Sequence, residues 1–333
     1  MKRLFILLAV FSAACSTPKE QLHKFSGATM GTTYNIVYAG EARAGLQAGV
    51  DSLLLVVNAA LSTYIPTSNI SLINQAQNKA WADNMVQVNF RKSFEIWQLS
   101  QGAFDPTVGP LVNAWGFGFQ KMQGNTDSAG IDSLLQFVGF DKVKLENDTI
   151  FKSHPNIVLD FSAIAKGYGV DAVALYLESV GVQNYIVEIG GELRAAGEKA
   201  PGFNWIAGIE KPIDDQLGQQ RELQMTIPLE NKSMATSGNY RNFYTKDGQK
   251  YAHTIHPKTG YPSESNLLST TVIANDCMTA DGYATAFMVM GFEAARTLVE
   301  ASEELEAVFL YNDSTGAMQE YISPGLTKIV KQP

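Results

Sequence analysis

Cysteine is scarce: the 333 residues hold two, Cys15 and Cys277, far apart in the chain, which excludes a scaffold built on disulfides. Positive charge is also short, with 25 Lys and Arg against 33 Asp and Glu for a net charge of −8. That sign excludes a protein held on nucleic acid by counterion release. There is no phosphate loop ending in Gly-Lys-Ser/Thr and no Gly-x-Gly-x-x-Gly after a strand, so kinase, ATPase and dinucleotide-fold dehydrogenase readings have no support. Gly-x-Ser-x-Gly is missing as well, and with it the commonest serine-hydrolase signal. His253 and His256 are three apart, but no third ligand stands at a zinc-like spacing. No internal repeat, low-complexity tract or long linker divides the chain.

What is present is an ordinary globular composition, 45% hydrophobic and 17% charged. A chain of this length buries about three quarters of the surface it would expose unfolded, enough for one large domain. Residues 1–15 read as a secretory lipoprotein signal: basic Lys2 and Arg3, an apolar run from Leu4 to Phe11 too short to span a bilayer, then Ser12, Ala13 and Ala14 before Cys15. Ser12 stands where Leu or Val is more usual in a lipobox, and an ordinary cleaved signal is the alternative. The expected layout is a signal peptide over 1–14, a lipid-modified Cys15 opening a polar tether over 15–24, and one intertwined domain over 25–330. The protein would then be anchored on the cell membrane, facing the periplasm or exterior. Strands are expected over Thr33–Tyr38, Asn184–Ile189, Leu268–Ala274 and Ala307–Tyr311, and helices over Leu46–Leu61, Phe90–Leu99, Ala163–Val180, Thr279–Met290 and Phe292–Ala301. These do not alternate as regular βαβ units, which favours the α+β class.

Four dense Gly/Thr/Asp/aromatic blocks fall outside the regular elements, where function concentrates. They are Thr29-Met30-Gly31-Thr32-Thr33-Tyr34 with Tyr64 after the next helix; Gly102 to Pro110 with Trp115-Gly116-Phe117-Gly118; Asp160 to Tyr168 with Ile189-Gly190-Gly191-Glu192; and His253 to Pro262 with Met278 to Thr285. Asp281 and Thr285, four apart on a predicted helix, present two hard oxygens on one face, a pair suited to Mg²⁺ completed by phosphate and water. An acid answering the helix dipole is the plainer reading of Asp281. Lys166, near a helix start, can meet phosphate together with backbone N–H groups, although such a lysine is most often solvated. Tyr64, Phe104 and Tyr168 can stack on a flat ring system or serve as core. Cys277 lacks a basic neighbour in sequence and reads as packing.

Together the blocks resemble one family, the FAD:protein FMN transferases of the ApbE type, which attach FMN covalently to threonine of other proteins. Thr-Met-Gly-Thr-x-Tyr, Gly-x-Phe-Asp-Pro-Thr-Val-Gly-Pro, Asp-x-x-x-Ile-Ala-Lys-Gly-Tyr, Ile-Gly-Gly and His-x-Ile-x-Pro-x-Thr-Gly-x-Pro stand in the family's order from about Ala28 to beyond Gly291. The resemblance implies a single α+β domain with an FAD cleft, and FAD contacts at Met30, Tyr64, Ala103, Phe104, Asp105, Asp160, Lys166 and Ile255. It implies a Mg²⁺ site at the Ala163 carbonyl, Asp281 and Thr285. His256 replaces the family's usual aspartate, and Ala284 stands where some members carry a second acid. The implied reaction transfers FMN from FAD to an acceptor threonine and releases AMP, with His253 as general base and subunits of membrane redox pumps as acceptors. An FAD pyrophosphatase using the same Mg²⁺, or a non-enzymatic FAD-binding lipoprotein, are the alternatives.

Overall fold

The computed structural model describes residues 21–118, 127–213, 222–239, 243–246, 249–252 and 254–332. Fifteen strands are described there: β1 (Leu22–Thr29), β2 (Thr32–Ala39), β3 (Lys79–Trp81), β4 (Val143–Glu146), β5 (Thr149–Lys152), β6 (Asn184–Ile189), β7 (Glu192–Ala196), β8 (Trp205–Glu210), β9 (Leu223–Leu229), β10 (Ser233–Gly238), β11 (Phe243–Lys246), β12 (Gln249–Ala252), β13 (Leu267–Ala274), β14 (Glu306–Asn312) and β15 (Met318–Ile322). The helices are α1 (Leu46–Leu61), α2 (Asn69–Gln75), α3 (Asn84–Leu99), α4 (Gly109–Ala114), α5 (Ser128–Leu135), α6 (Ala165–Ser179), α7 (Cys277–Met290) and α8 (Phe292–Glu300). β1 starts at Leu22, so the sheet begins inside the stretch read from sequence as tether.

Eight strands form the main sheet in the order β1-β2-β6-β7-β10-β13-β14-β15, and every neighbouring pair is antiparallel. Alternation sorts the side chains onto two covered faces. On one face Val272, Ala274, Ala307 and Phe309 join Ala280, Ala284 and Phe287 of α7. On the other, Ile273, Val308 and Leu310 meet Trp205, Ile209, Met225 and Ile227 of the β8–β9 hairpin. The centre of the sheet is therefore a middle layer. This confirms the α+β class and the single domain.

Helices α6 and α7 lie at the heart of the first layer, and α7 is buried almost all round, as its apolar and small residues at every phase require. The two approach so closely that a Cβ on Gly167 would come within 2.4 Å of the Cys277 carbonyl oxygen and 2.8 Å of Asp281 Cβ. Each helix also caps the other. Asp171 of α6 accepts the Cys277 and Met278 N–H groups that open α7, at 3.0 and 2.8 Å, while Asp281 of α7 accepts the Gly167 N–H in the first turn of α6 at 2.9 Å. Both helix starts thus satisfy amide donors that have no partner within their own helix. At the far end α6 closes as Gly181, at φ +82°, allows a Schellman turn: Gly181 N–H bonds the Glu178 carbonyl and Val182 N–H the Leu177 carbonyl.

The predicted strands and helices are all present, most with altered ends. α3 starts at Asn84, well before Phe90, because Asp83 caps the Val86 N–H at 2.8 Å. α7 starts at Cys277 because Asp276 caps Thr279. α6 starts at Ala165, so Ala163 lies in the preceding turn and not in the helix.

Candidate active site

The first, third and fourth blocks meet around the α6 and α7 starts, and the second joins them through loop contacts. The β1–β2 turn, with Met30 at φ 49° and Gly31 at φ 73°, brings Met30 onto α6, where its sulfur lies 3.1 Å from the position a Cβ on Gly169 would take. The second block reaches the third through the Asp160 N–H, which donates to the Pro106 carbonyl at 2.8 Å. It reaches the fourth through Trp115, whose indole N–H donates to the Gly260 carbonyl at 2.8 Å, and through a shared cluster of Leu111, Trp115, Ile131 and Ile255. A cavity of about 550 Å³ lies here, with Trp97, Gly102, Asp105, Asp141, Pro257 and Lys258 among its lining residues.

Lys166 occupies the first turn of α6 with its ammonium between two carboxylates: it pairs with Glu192 of β7 and lies 3.9 Å from Asp281 Oδ1. Both acids are 3% exposed. Burial opposes the Lys166 charge, but the Asp281 and Glu192 carboxylates overcome it and hold the group above the ordinary lysine range. Burial pushes Glu192 up to about 7 against the pull of Lys166, with the Asp281 charge adding to the rise. Asp281 is likewise raised by burial, against Lys166 and the Gly167 N–H. Sequence reasoning singled out Lys166 and Asp281 and gave Glu192 no role. Its available signal was a lone acid directly after Gly190-Gly191, a turn at φ 65° and 109° that sets Glu192 at the start of β7.

The donors near this cluster are hard oxygens. Thr285, one turn beyond Asp281, faces Ser237, their hydroxyl oxygens 3.4 Å apart. The Gly167 amide, which a longer helix would direct to the Ala163 carbonyl, goes to Asp281 instead. Among the described residues no group of three or more His, Cys, Asp or Glu is placed to hold a metal. Asp281 and Thr285 offer a carboxylate and a hydroxyl one turn apart, donor types that a hard cation accepts when phosphate and water complete its shell.

The other expected contacts play mixed parts. Asp105 is buried and braces its own loop: Oδ1 accepts the Thr107 N–H and hydroxyl at 2.8 and 2.6 Å, and Oδ2 the Phe140 N–H at 3.1 Å. Phe104 is 2% exposed and packs in the main core, while Gly102 and Asp105 of this loop line the cavity. Asp160 accepts the Ser162 N–H and hydroxyl, shaping the turn that leads to α6. Tyr64 stands 70% exposed beyond α1. His256 is a turn residue, with Nδ1 accepting the Lys258 N–H at 3.2 Å and backbone bonds to Tyr261 and Gly260. Burial and the Lys258 charge hold it below the ordinary histidine range. Cys277 is fully buried, and its thiol is pushed well up by burial and the surrounding carboxylates, which fits packing. His253 and Cys15 lie outside the described residues.

The ApbE family matches residues 30–309. An FAD:protein FMN transferase of Vibrio cholerae is 41% identical over 315 residues, 91% of this chain and 92% of that protein. Its counterpart in Haemophilus influenzae is 37% identical, covering 89% of this chain and 88% of that one. Among solved structures, the flavin transferase ApbE from Vibrio cholerae superposes with a TM-score of 0.84 at 36% identity, covering 93% of this chain and 99% of that one. The apo flavinyl transferase ApbE of Pseudomonas stutzeri gives 0.83 at 32% identity, covering 93% and 97%. The chain belongs to the ApbE family of flavin transferases and is an enzyme of that class.

Proposed function

We propose that this enzyme transfers FMN from FAD to a threonine hydroxyl of an acceptor protein, with Mg²⁺, and releases AMP. The observation that carries the reading is the cluster of Lys166 with the buried acids Glu192 and Asp281 at the first turn of α6. Asp281, Thr285 and the Ala163 carbonyl are the residues that would hold the metal. Bound there, Mg²⁺ would supply charge stabilisation for the phosphate oxygens, which is where phosphoryl-type transfer needs it.

The chain's own residues supply the rest. Lys166 brings a cation held firmly in its charged form to the pyrophosphate, and the first turn of α6 directs its dipole the same way. Met30 and the Ala103–Asp105 backbone border the flavin nucleotide. His253 takes the proton of the acceptor hydroxyl as its oxygen bonds the FMN-side phosphorus; the bond from that phosphorus to the AMP oxygen breaks, and AMP leaves with the electron pair. Cys15 carries a lipid anchor in this reading, with acceptors on the same membrane face; Cys15→Ser should free the enzyme from membranes, and its full recovery in the membrane pellet would remove the anchor. The reaction type is tested with an acceptor, FAD and Mg²⁺, where AMP and acceptor-bound FMN should appear in equal amounts. Free FMN accumulating at one rate with and without acceptor would replace transfer by hydrolysis.

A further inference from the structure

Two other buried charges, Asp171 and Lys152, are satisfied by the fold. Asp171 takes two backbone N–H groups and the Arg194 guanidinium, at 2.9 Å. Lys152, 4% exposed, donates to the carbonyls of Asn74, Pro155 and Ile157 at 3.0 to 3.1 Å. The set of Glu192, Lys166 and Asp281 differs. Glu192 Oε2 is buried with no hydrogen-bond partner, whereas buried polar atoms in folded proteins are nearly always paired. Asp281 Oδ2 is taken by the Gly167 N–H, and the neighbour of Oδ1 is the Lys166 ammonium at 3.9 Å, beyond hydrogen-bond reach. One ammonium between two carboxylates leaves a negative charge over. The orphan oxygen lies beneath the β6–β7 turn beside the Lys166 stem: a Cβ on Gly190 would stand 3.4 Å from both Glu192 Oε2 and Lys166 Cδ, and 2.9 Å from Thr32 Cγ2.

One buried oxygen of Glu192 has no hydrogen-bond partner, and Asp281 Oδ1 has the Lys166 ammonium only at 3.9 Å, so the two acids keep coordinating capacity that the single ammonium does not use. We propose that Glu192 is the second carboxylate of the cation site, beside Asp281, and that Lys166 is the site's internal counter-ion, released toward phosphate oxygens when a divalent cation binds. The inference rests on the metal-dependent reading above. Two carboxylates balance a divalent cation, and the freed ammonium meets the pyrophosphate, so cation and FAD should each favour binding of the other.

The test measures Mn²⁺ binding to the full chain from the resonance of the free ion, with and without FAD, in the wild type, Asp281→Asn, Glu192→Gln and Lys166→Met, each checked for folding by circular dichroism. Asp281→Asn should lose Mn²⁺ affinity at least a hundredfold, and Glu192→Gln at least tenfold. Lys166→Met should gain affinity at least threefold without FAD while binding FAD more weakly. That gain tests Lys166 as counter-ion; where Glu192→Gln fails to fold, Glu192→Asp tests the second carboxylate and should lose Mn²⁺ affinity at least threefold. Glu192→Gln binding Mn²⁺ within twofold of wild type while Asp281→Asn does not, or Lys166→Met unchanged or weakened, would overturn the inference and leave the metal-dependent reading standing. Absence of Mn²⁺ binding by the wild type with FAD present would overturn both.

Discussion

Replacing Gly167 by alanine tests the close approach of α6 and α7 on which the site depends. The added methyl would lie 2.4 Å from the Cys277 carbonyl oxygen, 2.7 Å from its carbon and 2.8 Å from Asp281 Cβ. These atoms are backbone or next to it, so no side-chain rotation relieves the clash, and the helices must part by about 1 Å to restore ordinary contact. Such overpacking costs about 1–3 kcal/mol. Parting also strains the Gly167 N–H bond to the Asp281 carboxylate, a bond to a charged group worth about 1.5–3 kcal/mol, while alanine returns up to about 1 kcal/mol of helix propensity. The net loss is about 3 kcal/mol. With unfolding entropy near 2.1 cal/mol/K per residue, a domain of roughly 300 residues loses about 5 °C of melting temperature. Gly169→Ala, on the same helix, is the control: its methyl meets the Met30 sulfur at 3.1 Å, the flexible end of a side chain, and should change stability by less than about 1 kcal/mol. Calorimetry of both variants, with an FMN transfer assay alongside, reads the difference. A Gly167→Ala protein that melts within about 1 °C of wild type and transfers FMN normally would refute the reasoning.

Further outcomes follow from single side chains. Cys277, buried with its thiol pushed up, should resist an aromatic disulfide reagent in the native enzyme and react on unfolding; rapid native labelling would contradict its burial. His253→Ala should lower kcat by at least about a hundredfold with little change in FAD affinity, and His256→Ala by less than about tenfold, since His256 is tied into its turn; the reverse order would move the base to His256. Asp313 is half-buried, and its carboxylate is pushed down to about 2 by hydrogen bonds from Thr315, Gln319 and Ala317. A depressed folded value means that its contribution to the β14–β15 turn is present above pH 4 and lost as pH falls through 2; an NMR titration of its side chain with a midpoint near 4 would show those bonds absent in solution.

The long periodic segments were legible from sequence, and α1 and β6 match their expected bounds residue for residue. Others began earlier, α3 at Asn84 instead of Phe90 and α7 at Cys277 instead of Thr279, where Asp83 and Asp276 set the helix start through a side-chain bond that apolar periodicity does not register. Short helices such as α2, α4 and α5 carry too few turns for a period to show. Lys166 and Asp281 could be picked out because a charge at a helix start suggests a partner. Their convergence could not, because it depends on Gly167 and on two aspartates that cap each other's helices across 106 to 114 residues of chain. Glu192 was hidden for the same reason: in sequence it is an ordinary polar residue after a glycine turn, and only the packing of β7 under α6 and α7 leaves its second oxygen buried without a partner.

Transfer of FMN at the Asp281 site is tested most directly by the intact mass of an acceptor protein incubated with FAD and Mg²⁺ and either the wild-type enzyme or Asp281→Ala. The wild type should add the mass of one FMN to the acceptor, losing that ability in excess chelator, and Asp281→Ala, although folded and still binding FAD, should add none. An acceptor that gains FMN at the wild-type rate from Asp281→Ala in excess chelator would contradict the account.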